Sequence, residues 1–221
     1  MSRTVRRVDV VAGVDGCRGG WAVALAPVHD DGNALDVRVV PSFADVLALR
    51  PTAIAIDMPI GLLDTGPRAC DVEARRRLGP RRSSVFPTPL RAMLDATTYE
   101  EARAIAGLSK QAFHLLPKIR EVDALMTPRQ QRTIVEAHPE LAFARLLGHP
   151  CVAPKRTTEG REERRSVVNL NIDRPPSGAA WDDVLDAGAL VSTARRLVSG
   201  AIERLGDGAR DRRGLRCEIA L

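Results

Sequence analysis

Val8-Asp9-Val10-Val11-Ala12-Gly13-Val14-Asp15-Gly16 is the stretch on which the fold turns. Val8 to Val14 is almost continuously apolar and rich in β-branched residues, the signature of a strand buried on both faces. It stops abruptly at an acid followed by a glycine. Working outward, Gly16, Gly19 and Gly20 supply a turn, and Trp21 to Ala26 returns as a second strand to make a hairpin. Asp36 to Val40 alternates as a third strand. Phe43 to Leu49 reads as a short helix stopped before Pro51. Ala53 to Ile56 is a fourth strand, and it too runs into an acid, Asp57.

Arg68 to Pro128 changes to helical spacing, with segments at Asp71 to Leu78, Tyr99 to Ile105 and Ser109 to Met126. The last carries Ala112, Leu115, Leu116, Ile119, Val122 and Met126 on one face, with a kink expected at Pro117. Arg81 to Pro89 reads as a loop. This block reads as a helical insertion between two strands of one domain spanning residues 1–221. Thr133 to Ala137 is a fifth strand and Pro139 to Leu147 a helix. Lys155 to Arg165 is strongly polar, and Trp181 to Leu205 is the strongest helical pattern, with an apolar stripe from Val184 through Val191 and Val198 to Leu205. Leu215 to Leu221 is a candidate edge strand. The expected class is α/β, a mixed five-stranded sheet flanked by helices.

Composition narrows the function. No stretch approaches the roughly 18 apolar residues of a membrane helix, and no cleavable leader is evident, so a cytoplasmic protein is expected. The net charge of +5 permits nucleic acid as a partner. Lysine occurs only at positions 110, 118 and 155, and an arginine- and alanine-rich composition accounts for much of the charge. Aromatic residues make up 3% of the chain, too few for a platform that stacks single strands. Cys17, Cys70, Cys151 and Cys217 show no metal-ligand spacing and read as reduced, buried thiols.

The chemistry lies in the acids. Asp15 and Asp57 each end an apolar strand, where a carboxylate is costly to bury unless it is paired or holds a cation. Ligands bind at that strand edge in open α/β sheets. Glu136 repeats the pattern within Ile134-Val135-Glu136-Ala137. Asp183 and Asp186 project on one side of the last helix, beside its apolar stripe. Carboxylates that converge without histidine or thiolate make a hard oxygen site, suited to Mg²⁺ or Mn²⁺. A strand-end aspartate also serves simply to form a turn. His138 offers either a general base or a helix-start residue bonded to backbone, and the second is favoured. Lys155, Arg161 and Arg164, with Arg81 and Arg82, are candidates for holding phosphates, against the alternative of a solvated polar surface.

Gly13-Val14-Asp15-Gly16-Cys17-Arg18-Gly19-Gly20-Trp21 resembles the opening of a family of predicted ribonuclease H-like nucleases, a domain of unknown function. Ile56-Asp57-Met58-Pro59-Ile60-Gly61, Arg82-Ser83-Ser84-Val85-Phe86, Leu108-Ser109-Lys110-Gln111-Ala112, Glu136-Ala137-His138-Pro139-Glu140, Lys155 with Gly160 and Arg161, and Asp183-Val184-Leu185-Asp186-Ala187 are similar to the same family. The resemblance spans nearly the whole chain. It implies a ribonuclease H-like fold and, through the fold, metal-dependent cleavage of DNA or RNA. It implies that Asp15 and Asp57 match the acids of the first and fourth strands. Asp183 and Asp186 resemble the acidic pair on the last helix of RuvC-type Holliday-junction resolvases. Glu136 has no settled counterpart, and Gly188 stands where a leucine is expected. Two other readings remain. One is a nucleotide-binding phosphotransferase, which needs two such halves, so that a dimer would have to complete the cleft. The other is a non-catalytic binding module, which predicts no metal binding.

Overall fold

The structure, a computed structural model, describes residues 9–29, 32 and 34–221. Val8, expected at the start of the first strand, lies outside the described residues. The first strand is β1 (Val10–Cys17), and a two-residue turn at Arg18-Gly19 leads into β2 (Gly20–Pro27). Gly20 has φ +123, which a β-carbon would strain, and it lies against the carbonyl oxygens of Val40 and Pro41. β3 (Asp36–Val40) completes the antiparallel half of the sheet. A capped helix α1 (Phe43–Ala48) follows, then β4 (Ala53–Ile56) and later β5 (Ile134–Glu136). The order across the sheet is β3-β2-β1-β4-β5, with β4 parallel to β1 and β5 parallel to β4. This is the mixed, five-stranded α/β architecture expected.

The regular elements between β4 and β5 are all helical: α2 (Ala69–Leu78), α3 (Tyr99–Ala106) and α4 (Lys110–Leu125), with short 3-10 turns at Gly79–Ser84, Arg91–Asp95 and Gln130–Arg132. Thr98 and Ser109 cap α3 and α4 through bonds to Glu101 N and Ala112 N. α4 continues through Pro117, which points to solvent. After β5 come α5 (Pro139–Leu147), α6 (Thr158–Arg165) and α7 (Trp181–Ser199). The polar stretch 155–165 therefore holds a helix, started by the Thr157 side chain accepting from Gly160 N. No helix among the described residues is long and apolar enough to cross a membrane.

The expected end of α7 at Leu205 is corrected. Gly200 adopts a left-handed φ of 74 and stops the helix at Ser199. Leu205 then belongs to a two-residue strand, β6 (Arg204–Leu205), paired with β7 (Ile219–Ala220). β7 joins the main sheet through a bridge between Ala220 and Ala137. The expected edge strand is thus short, and its partner is the segment after α7.

Strand alternation sorts the core into two layers. Ala12, Val14, Ile54 and Ile56 point to the insertion face and pack with Leu116, Ile119 and Val122 of α4. Val11, Ala53, Ala55 and Val135 point to the other face and pack with Leu185, Ala187, Leu190 and Val191 of α7. Gly13 lets α7 touch the sheet. A β-carbon there would collide with the Ala187 carbonyl and lie 2.7 Å from Val191 N. Gly188 has a comparable reason. A β-carbon would run into Val168 and come within 3.3 Å of Leu35, so the leucine expected at this position has no room.

Candidate active site

Asp15 shares the sheet face of Val11 and Gly13, and Asp57 continues the face of Ala53 and Ala55, with its amide bonded to Val14 O at 2.9 Å. Both carboxylates therefore meet α7 at the C-terminal end of the parallel strands. Asp186 precedes Ala187, the residue whose carbonyl lies over Gly13. Asp183 lies one turn nearer the helix start, and its Oδ2 accepts from Ala180 N at 2.8 Å. Asp15, Asp57 and Asp183 are half-buried and Asp186 is buried.

The charges are close enough to act on one another. Burial, then Asp57, Asp186 and Asp183 in turn, push the Asp15 carboxyl well above the usual carboxylate range. Asp57 is raised to about 7 by burial, opposed mainly by Lys155. Asp186 is also raised to about 7 by burial, with Lys155 again opposing and Asp57 reinforcing. The Lys155 Nζ lies 3.3 Å from Asp186 Oδ2. The Gly16 amide, which donates to Asp15 Oδ1 at 2.7 Å, works in the opposite direction, lowering Asp15.

Stability should follow from these shifts. Folded Asp57 and Asp186 hold protons that the unfolded chain releases between about pH 4 and 7. Their contribution is full below about pH 4 and is lost as pH rises through 7. His138, lowered by burial, has the opposite sign but is a single group. In chelator, the melting temperature is therefore expected to fall between pH 5 and pH 8, and Mn²⁺ should restore it only at the higher pH. A melting temperature that rises over this range without metal would contradict the shifts.

Glu136 ends a strand parallel to β4, at the same end of the sheet, but alternation puts it with Ile134 on the insertion face. There its carboxylate takes a two-pronged ion pair from buried Arg68, at 2.5 Å and 2.7 Å, and accepts from Ile60 N at 2.7 Å. Asp71 binds the same guanidinium at 2.6 Å. Burial raises Glu136 to about 7, against the pull of Arg68. Burial also works against the Arg68 charge, which Glu136 and Asp71 more than restore. The structure thus places Glu136 in a neutralising network, away from the aspartates.

The expected phosphate-binding residues also separate. Arg164 is 2% exposed, bonded to Glu140 at 2.5 Å and stacked 5.4 Å from the Phe143 ring. Arg81 donates to Cys151 O at 2.8 Å and to Ala153 O, and Arg164 Nη1 reaches Ala153 O at 3.3 Å. Glu163 accepts from Val152 N and Ala153 N at 2.8 Å and 3.1 Å. These side chains fasten residues 151–153, two positions ahead of Lys155. Arg82 remains exposed and Arg161 half-buried. His138 does start α5, but its Nε2 contacts Ser84 O at 3.3 Å and its buried Nδ1 has no partner among the described residues. Sequence reasoning passed over Lys118. It bonds Gly20 O and stacks 4.5 Å over Trp21 at the hairpin tip, where it helps to offset Asp183.

A family model described as "Protein of unknown function (DUF429)" matches residues 13–211, from the glycine under α7 to the buried Asp211. The chain belongs to the DUF429 family. This DUF429 protein matches none of the curated proteins. Among solved structures it is similar to Thermus thermophilus RuvC in complex with Holliday junction substrate, at 16% identity and a TM-score of 0.39. It is also similar to Thermus thermophilus RuvC alone, at 16% identity and a TM-score of 0.35. Each likeness covers 87% of this chain and 97% of the other.

The donor set of Asp15, Asp57, Asp183 and Asp186 is entirely carboxylate oxygen, and its charge is opposed by one bonded ammonium. That chemistry fits a hard divalent cation. Among the described residues, no three acid, imidazole or thiol groups already close around one point as a finished cage.

Proposed function

We propose that this protein is a divalent-metal-dependent phosphodiesterase acting on nucleic acid. The observation that carries the reading is the grouping of Asp15, Asp57, Asp183 and Asp186 at one end of the sheet, with mutual repulsion and a single ammonium bonded into the group. Asp15, Asp57 and Asp186 would hold Mg²⁺ or Mn²⁺, with Asp183 as an auxiliary ligand. Such an ion, when bound, activates water and stabilises the leaving alkoxide of a phosphodiester. The chain's own residues orient and neutralise. The Gly13 contact fixes Asp186 relative to Asp15, and the fastened 151–153 segment presents Lys155 beside the acids. Lys155, Arg82 and Arg161 supply phosphate contacts, while Arg81 and Arg164 act through the backbone they hold.

The test is binding of duplex, single-stranded and hybrid substrates in Ca²⁺, followed by cleavage in Mn²⁺. Three phosphate contacts release counterions, so log affinity should fall with log salt at a slope of roughly −2 to −3. Arg82→Gln should make that slope shallower by about 0.7–0.9 without altering metal binding. If no polynucleotide binds at low salt while a small chromogenic phosphodiester is hydrolysed, the metal chemistry stands and the nucleic acid substrate does not. If neither is bound nor cut, the enzymatic reading fails and the binding-module reading replaces it.

A further inference from the structure

Lys155 lies in the connection between α5 and α6, and its Nζ is 3.3 Å from Asp186 Oδ2. The two side chains differ in exposure, 45% for Lys155 against 8% for Asp186, so the ammonium reaches in from solvent onto a buried acid. Its influence is not confined to that partner. Lys155 opposes the upward push on Asp57 and Asp183 as well as on Asp186. Asp186, Asp182 and Asp15, in turn, hold its charge against the cost of burial.

The backbone that carries this lysine is fixed on both sides. Arg81, Glu163 and Arg164 bond residues 151–153, and Thr157 N donates to Pro154 O at 3.0 Å. Gly160 packs against Pro154 so closely that a β-carbon would overlap its carbonyl. A rigid anchor with a long, half-exposed arm is the arrangement of a tethered charge.

Several half-buried carboxylates need a cation nearby if they are to ionise together. In the absence of metal, Lys155 meets part of that need, and Asp15, Asp57 and Asp186 still stay above the usual carboxylate range. A divalent cation brings two charges and would compete with that ammonium for the Asp186 carboxylate. Resting on the metal-centre reading above, we propose that Lys155 is a built-in counter-ion of the acidic cluster, which a divalent cation must displace in order to bind. The released ammonium is then free for substrate phosphate, so metal entry and phosphate recognition are ordered, with the metal first.

Mn²⁺ binding to the full chain, followed by paramagnetic resonance, tests this alongside metal-free melting temperatures. Lys155→Met is expected to bind Mn²⁺ about tenfold more tightly, some 1.4 kcal/mol, and to melt lower without metal. The gap between its metal-free and Mn²⁺-saturated melting temperatures should therefore widen. Lys110→Met removes the same net charge on α4, far along the chain over the Tyr99 ring, and should match the wild type. Equal or weaker Mn²⁺ binding by Lys155→Met, with normal binding by the wild type, overturns the counter-ion proposal and leaves the metal centre standing. Absence of Mn²⁺ binding by both proteins overturns the two together. Binding by the variant alone would overturn the displacement step, because the ion would then fail to dislodge the lysine from the wild-type cluster.

Discussion

Asp15→Asn is expected to give a folded, more heat-stable protein whose phosphodiester cleavage is lower by roughly a thousandfold. Both halves of the result come from one set of contacts. Asp15 receives repulsion from Asp57, Asp186 and Asp183, and it is compensated by the Gly16 amide, a bond that asparagine Oδ1 can also accept. Neutralising it relieves the folded, metal-free state of like-charge repulsion while removing a ligand from the proposed centre. Melting curves in chelator and a cleavage assay in Mn²⁺ read the two effects separately. A variant that melts lower in chelator would show that Asp15 is stabilised by its surroundings, and a fully active one would remove it from the centre.

Arg68→Met is expected to cost about 3–5 kcal/mol of stability, the usual consequence of removing one partner from a buried ion pair. Arg68 is 3% exposed and neutralises both Glu136 and Asp71. Its Nη1 also reaches the carbonyls of Ile60 and Gly61, at 3.2 Å and 3.3 Å, so the loop after β4 loses its tie as well. Urea denaturation at pH 8 is the measurement, with exposed Arg82→Met as a comparison expected to stay within about 0.5 kcal/mol of wild type. Acidification should recover part of the loss in Arg68→Met, because the orphaned Glu136 can then take up a proton. Equal stability of the two variants would mean that the network contributes nothing.

These two residues also mark how far the amino-acid pattern could be followed. Apolar runs ending in acids identified β1, β4 and β5 and pointed to Asp15 and Asp57. The same signal pointed to Glu136, and the structure turned it to the other face. A strand buried on both sides has apolar residues at every position, so its pattern carries no record of which face a terminal acid takes. Arginine misled for a related reason. Arg81 and Arg164 read as candidates for holding phosphates, but their long apolar stems and forked donors suit them equally to tying down backbone or stacking on Phe143. The end of α7 was overrun because Ala201 and Leu205 happen to keep the helical step, whereas Gly200 supplied a stop that periodicity alone does not weigh. Lys118 left no trace, since nothing in α4 distinguishes a lysine that reaches a hairpin tip from one in water.

The contact of Gly13 with α7 bears on how the site responds to disturbance. Where most helices ride on a cushion of side chains, this one rests main chain against main chain at Ala187 and Val191. The separation of Asp186 from Asp15 is then set by peptide geometry, and rotamer changes elsewhere in the interior have little leverage on it. Amide hydrogens of α7 around residues 187–191 should accordingly exchange only through global unfolding, with protection factors matching those of β1. The two elements would behave as a single girder, with the acids riding at its end.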